Sequence, residues 1–321
     1  MPKPNNINAK KTISGILIAA AYLWLAFILY KNHAALLEIF GGLTAGNILW
    51  LVLSTLLVFL AVSLLVPLFH IIVHQNCHLK LPMRFLAKLF FTGQIISYLP
   101  SRFLGTAYMV NETQKLIPAV AMVRINIELV AMIITYNVFA SLAILTFYEA
   151  GTGNAVTVAA LGIIFFAMYL RLNLLDKFLG LAARIAPAKL AEKLTAGRSK
   201  YDFSYGLIAR IVGIMLLYWI FYILSWLCLK QTFPLLADTN VILLSATYTL
   251  SWIIGFITLI TPGGLGIREV SFVALNARYM TQFHSSFLSI FLRVWLILID
   301  ISLYLISRTI VKIFPVTLDR E

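Results

Sequence analysis

Apolar residues in this chain come in long blocks and do not alternate with polar ones. Ile13–Tyr30, Ile48–Val73, Ala119–Tyr148, Ala155–Leu170, Tyr205–Leu229 and Phe283–Ile306 each approach or exceed the roughly 20 helical residues that a hydrocarbon core demands. Backbone N–H and C=O groups in lipid must be satisfied within their own segment, which a helix does. The pattern therefore predicts an all-α integral membrane protein with about six transmembrane helices. The first block follows Lys3, Lys10 and Lys11. It is longer than the apolar core of a signal peptide and further spans follow it, so it is expected to be a retained helix.

Two more apolar stretches are interrupted. Residues from about 85 to 118 are broken by Leu99-Pro100-Ser101-Arg102-Phe103-Leu104-Gly105, and those from about 241 to 281 by Thr261-Pro262-Gly263-Gly264-Leu265-Gly266. Irregular backbone is tolerated at membrane depth where protein or a wet cavity surrounds it, so both stretches are expected as re-entrant helical hairpins. The span count makes one enter from the cytoplasm and the other from outside. Interrupted segments of opposite orientation in the two halves of a chain are the mark of an inverted repeat with a transport site. Two ordinary hairpins with tight turns are the plainer alternative. The connector from about 173 to 203 mixes apolar residues with Lys177, Arg184, Lys189, Lys193, Arg198 and Lys200. It reads either as an amphipathic element lying on anionic lipid or as a solvated charged loop. Residues 1–321 are thus expected to form a single polytopic membrane domain.

Composition agrees. The chain is 61% hydrophobic and 12% charged, with mean hydropathy +0.94, against about 45–50% apolar and about 25% charged in soluble domains. Its net charge of +13 is not gathered into a basic stripe interleaved with aromatics, so nucleic acid is not the expected partner. Placing the amino terminus in the cytoplasm puts Lys80, Arg84, Lys88, the basic connector, Arg308, Lys312 and Arg320 on that same side, leaving Lys31 and Lys230 opposite. This is the asymmetry of the positive-inside rule, and it makes both termini cytoplasmic. Cys77 and Cys228 are the only cysteines, too few for a disulfide framework or a multi-cysteine metal site.

Charges within such segments are costly, about 2.5–3.5 kcal/mol each on insertion scales, so their positions carry information. Arg102 lies in the first break; Arg268 and Glu269 follow the second; Arg124 and Glu128 begin one span; Arg293 and Asp300 lie in the last. The 124/128 and 293/300 spacings put each pair on one helical face. They are read either as self-neutralising ion pairs or as arginines converging on an anionic headgroup, which guanidinium binds bidentately. Arg268 and Glu269 point about 100° apart, so Glu269 is expected to reach an arginine on another helix. Gly263, Gly264 and Gly266 allow positive φ and close backbone approach, and a half-helix starting near Gly266 would present free N–H groups to phosphate. Small-residue helix packing is the plainer reading of those glycines. His70, His74 and His78 recur every four residues beside Cys77, a spacing that raises a metal site; the reading taken is interfacial histidines meeting water or headgroups. No metal and no cofactor are expected, and no common catalytic motif is present.

The run Thr261-Pro262-Gly263-Gly264-Leu265-Gly266-Ile267-Arg268-Glu269 resembles the Pro-Gly-Gly-hydrophobic-Gly-x-x-Glu signature of the lysylphosphatidylglycerol synthase transmembrane-region family. The break at Leu99–Gly105 and the order of spans are similar as well, whereas Val123-Arg124-Ile125-Asn126-Ile127-Glu128 departs from the family's acidic-arginine pattern. The resemblance implies a stand-alone, flippase-like protein of a prokaryotic cytoplasmic (inner) membrane, without the aminoacyl-transferase domain of bifunctional members. It would move an anionic phospholipid or lipid-linked glycan headgroup, passively, by ion coupling or with a partner, since no ATP-binding motif is visible. Arg102, Arg124, Glu128, Gly263, Gly264, Gly266, Arg268, Glu269, Arg293 and Asp300 are the candidate substrate-binding residues. The alternative is a membrane-embedded accessory enzyme, with Glu269 as acid or base, or a scaffold for a lipid synthase or glycosyltransferase. A homo-oligomer is compatible with either.

Overall fold

A computed structural model describes residues 23–98, 103–172, 174, 177, 181, 203–258 and 264–314. Among the described residues the chain is helical with no strand. The helices are α1 (Leu23–Lys31), α2 (His33–Gly41), α3 (Ala45–Ser63), α4 (Leu65–Cys77), α5 (Met83–Ser97), α6 (Phe103–Thr113), α7 (Ala119–Ala150), α8 (Thr152–Arg171), α9 (Tyr205–Thr232), α10 (Val241–Ile257), α11 (Ile267–Leu275) and α12 (Gln282–Ile313). Among the described residues five spans are long and apolar enough to cross a membrane: Ala45–Cys77, α7, α8, α9 and α12. The count is six if α1 and α2, bent by 74°, form one. The basic segment Lys3–Lys11 and nearly all of the connector expected at 173–203 lie outside the described residues.

The described residues fall into two units. The first holds 23–59, 97–98, 221–258 and 264–301; the second holds 60–96, 103–172, 203–220 and 302–314, with 174, 177 and 181. In the first unit the α1–α2 bend occurs at Asn32, whose side chain donates to the Ile28 carbonyl at 2.8 Å. Hydropathy does not anticipate α2, yet its Ala-Ala-Leu-Leu-Glu run consists of strong helix formers. Lipid supplies no hydrophobic drive between helices, so polar contacts and packing must hold them. Ser54 Oγ donates to the Ser225 carbonyl at 2.8 Å, Asn47 Nδ2 to the Gln231 carbonyl at 2.8 Å, and Trp295 Nε1 to Thr55 Oγ1 at 3.0 Å. These bonds tie α3 to α9 and α12. Asn240 caps α10 by accepting from the Ile242 and Leu243 N–H groups, satisfying donors that a helix start leaves orphaned. Farther along, α10 packs on α11, and Thr247 Oγ1 donates to Asn276 Oδ1 at 3.0 Å.

In the second unit α7 packs against α4, α6 and α8. The helix path through Ala45–Cys77 breaks at Leu64, whose N–H is shared between the Leu60 and Ala61 carbonyls. The cause is Pro67, which has no N–H for the Ser63 carbonyl and whose ring crowds it. A single residue, Gly151 at φ 87°, turns the chain from α7 into α8, and a Cβ at Gly162 would lie 2.6 Å from Phe139 Cβ. Trp219 Nε1 donates to Asn137 Oδ1 at 2.8 Å.

Candidate functional site

Four of the charged residues singled out in the sequence, Arg268, Glu269, Arg293 and Asp300, lie in the first unit. Thr261, Pro262, Gly263 and Arg102 lie outside the described residues. Gly264 and Gly266 have φ of 70° and 81°, a region that costs glycine nothing. A Cβ on Gly264 would stand 2.6 Å from the Gly255 carbonyl oxygen, and one on Gly255 would stand 2.9 Å from Arg268 Cβ. Missing side chains thus let α10 and α11 touch backbone to backbone, and the contact fixes where Arg268 departs.

Arg268 lies over the ring of Tyr248, 4.5 Å from its centroid, and its Nη2 donates to the Tyr248 hydroxyl. Edge-on contacts with Trp226 and Phe272 hold that ring in place. One residue along, Glu269 points elsewhere. Its Oε2 accepts from the Gly266 N–H at 2.8 Å, while its Oε1 is 3.9 Å from Arg293 Nε on α12. The first is a cap on the α11 amino terminus; the second is an ion contact too long to be a hydrogen bond. The Gly266 N–H expected to be open to phosphate is therefore taken by the chain's own carboxylate. Arg293 and Asp300 share a face of α12, but Tyr98 connects them: its ring lies 5.5 Å from the Arg293 guanidinium and its hydroxyl donates to Asp300 Oδ2 at 2.5 Å.

Arg268 and Arg293 are each 8% exposed and Glu269 is 1% exposed. A guanidinium offers a fork of N–H donors and accepts nothing. Arg268 Nε, Arg293 Nε and Glu269 Oε1 have no hydrogen-bond partner among the described residues. Both arginines lie over a tyrosine ring; Arg268 uses one N–H on the Tyr248 hydroxyl, and among the described residues the Nε of each is left for another acceptor.

The remaining candidates belong to the second unit. Arg124 and Glu128 are buried on α7, and Glu128 Oε2 accepts from Asn76 Nδ2 at 3.2 Å. Between those two positions on α7, Asn126 Nδ2 donates to Thr106 Oγ1 at 2.5 Å. His70 and His74 stack with centroids 6.5 Å apart; α4 stops at Cys77 and His78 adopts φ 54°, edge-on to His74. Among the described residues no three His, Cys, Asp or Glu side chains are grouped to hold a metal.

Sequence reasoning missed Tyr98, Tyr248 and Asn76. The available signal was position: Tyr98 directly precedes the first break, and Tyr248 interrupts the apolar run that leads into the second. No family model, no curated protein and no solved structure matches the chain. Several helices long and apolar enough to cross a bilayer are the construction of a multi-pass membrane protein.

Proposed function

We propose that this chain is a flippase-like transporter that carries an anionic lipid headgroup, of a phospholipid or a lipid-linked glycan, across the bilayer of a prokaryotic cytoplasmic membrane. The observation that carries the reading is the pair of buried arginines, each lying over a tyrosine ring, whose Nε atoms have no hydrogen-bond partner among the described residues. A buried guanidinium Nε–H left without a hydrogen-bond partner is suited to an oxyanion. The short helices flanking the two breaks support re-entrant hairpins: α5 and α10 run about 22 and 26 Å, less than the roughly 30 Å of a hydrocarbon core. Each hairpin also closes on glycines, Gly93 with Gly105 and Gly255 with Gly264, as two related halves would. The motif at 262–269, through its likeness to the lysylphosphatidylglycerol synthase transmembrane region, points the same way.

The test is reconstitution into vesicles carrying a panel of labelled lipids. Arg268→Ala and Arg293→Ala lower translocation of an anionic headgroup about tenfold or more, the scale of a lost charge-assisted hydrogen bond. Glu269→Gln lowers it too, while Lys312→Ala, on the exposed end of α12, leaves it unchanged. Breaking a buried charge set costs about 3–5 kcal/mol, so rates are compared at equal folded yield by size exclusion. Wild-type rates in all three site variants would reduce these residues to structural ion pairs.

A further inference from the structure

The amino terminus of α11 and the edge of Arg293 converge on one carboxylate, that of Glu269, which is buried and contacts each through a different oxygen. A helix amino terminus beside a guanidinium edge is the environment in which proteins seat phosphate. Here a side chain of the same polypeptide occupies it. The fit is incomplete: Oε2 makes a good bond to the Gly266 N–H, but Oε1 stops 3.9 Å from Arg293 Nε, and neither atom of that pair has a hydrogen-bond partner among the described residues. A carboxylate tethered at the third position of the helix reaches one partner well and the other poorly. A tetrahedral oxyanion arriving from outside the helix has no such tether and could bond both. The nearby carboxylate Asp300 is engaged by Tyr98, and the guanidinium groups of Arg293 and Arg268 lie over the rings of Tyr98 and Tyr248.

We propose that Glu269 is a resident stand-in for the substrate's phosphate: an incoming oxyanion binds Arg293 and the α11 amino terminus by displacing the Glu269 carboxylate, which returns when the anion leaves. The proposal rests on the transport reading above and adds to it a competitor built into the site. Two anions cannot share the seat, so occupancy by ligand and by Glu269 are mutually exclusive. Release is then assisted from within, and the site avoids trapping its cargo.

The experiment compares wild type with Glu269→Gln as full-length protein in detergent micelles, using inorganic phosphate and phosphatidylglycerol doped into the micelles as separate probes. Chloride and phosphatidylcholine serve as the matched controls. Glutamine keeps the shape and an oxygen for the Gly266 N–H but removes the competing charge. Glu269→Gln is expected to bind about tenfold more tightly, the low end of measured couplings between close charge pairs, read as the probe concentration at half-maximal thermal shift. Tightening toward both probes supports the seat and places recognition in the phosphate alone; tightening toward the lipid only supports it for a headgroup still attached to its chains. Equal or weaker binding by folded Glu269→Gln, or no binding of either probe by either protein, overturns it. A second readout keeps Glu269 in place and does not depend on Glu269→Gln folding. In an Asp300→Asn background, phosphatidylglycerol should change the infrared bands of a buried carboxylate, and binding without that change overturns the displacement. Translocation by wild-type vesicles alongside unaltered Glu269→Gln affinity would sink this proposal and leave the transport reading standing; tightened binding without any translocation would do the reverse.

Discussion

Tyr98 uses two parts of one side chain for two neighbours, the ring face for Arg293 and the hydroxyl for Asp300. The parts separate by mutation. Tyr98→Phe keeps the ring under the guanidinium and leaves Asp300 without its donor, which should cost about 1–3 kcal/mol. Tyr98→Ala also removes the ring and should cost more. Thermal unfolding in detergent orders the three proteins, and a Tyr98→Phe midpoint equal to wild type would mean that Asp300 finds another donor. At this scale the charged members of the site were legible in the sequence, because an arginine or glutamate within an apolar run is expensive and conspicuous. The tyrosines were not. Tyr is at home in cores and at membrane interfaces alike, so nothing in the letters distinguishes Tyr248 under an arginine from Tyr136 against Phe166.

Helices in this protein meet where side chains are absent. A Cβ on Gly105 would lie 2.4 Å from the Gly93 carbonyl oxygen, and Gly264 combines a 2.6 Å approach to the Gly255 carbonyl with positive φ. Gly105→Ala and Gly264→Ala should therefore each destabilise by about 1–3 kcal/mol or more through overpacking and lower the folded yield. Gly213 on α9 has nothing within 4 Å of a Cβ position. Gly213→Ala should instead be neutral or stabilise by up to about 1 kcal/mol through helix propensity. Unfolding midpoints of the three variants separate packing glycines from incidental ones. Four of the long spans were readable from hydropathy to within four residues at each end, since their polar ends continue the helix after the apolar run stops: Ile48–Val73 became Ala45–Cys77, whereas α12 runs seven residues past the expected Ile306. The interrupted stretches were readable from Pro and Gly. Helix α2 and the break at Leu64 were not, because a hydropathy window averages over both a short polar-flanked helix and a single displaced turn.

For the molecule as a whole, the distribution of basic residues predicts orientation. Cys77, at the end of α4, should be protected from an impermeant maleimide in intact cells, whereas a cysteine introduced at Lys31 should react; the opposite pattern would invert the chain. A different consequence follows from the bonds that hold α3. Its partners lie far ahead in the sequence: Ser225 is 171 residues beyond Ser54, and Trp295 is 240 beyond Thr55. At about 5–20 residues per second of synthesis, Ser54 enters the bilayer about 10–30 s before the carbonyl it will bond has left the ribosome. Thr55 has an interim partner, for its hydroxyl donates to the Leu51 carbonyl one turn back at 2.8 Å. A hydroxyl that can bond its own helix while the rest of the chain is still being made need not sit in lipid unpaired. The side chains that later join α3 to α9 and α12 are thus of a kind that a half-built protein tolerates, whereas the buried charges at Glu269 and Arg293 emerge within a single pair of late helices and reach each other almost at once.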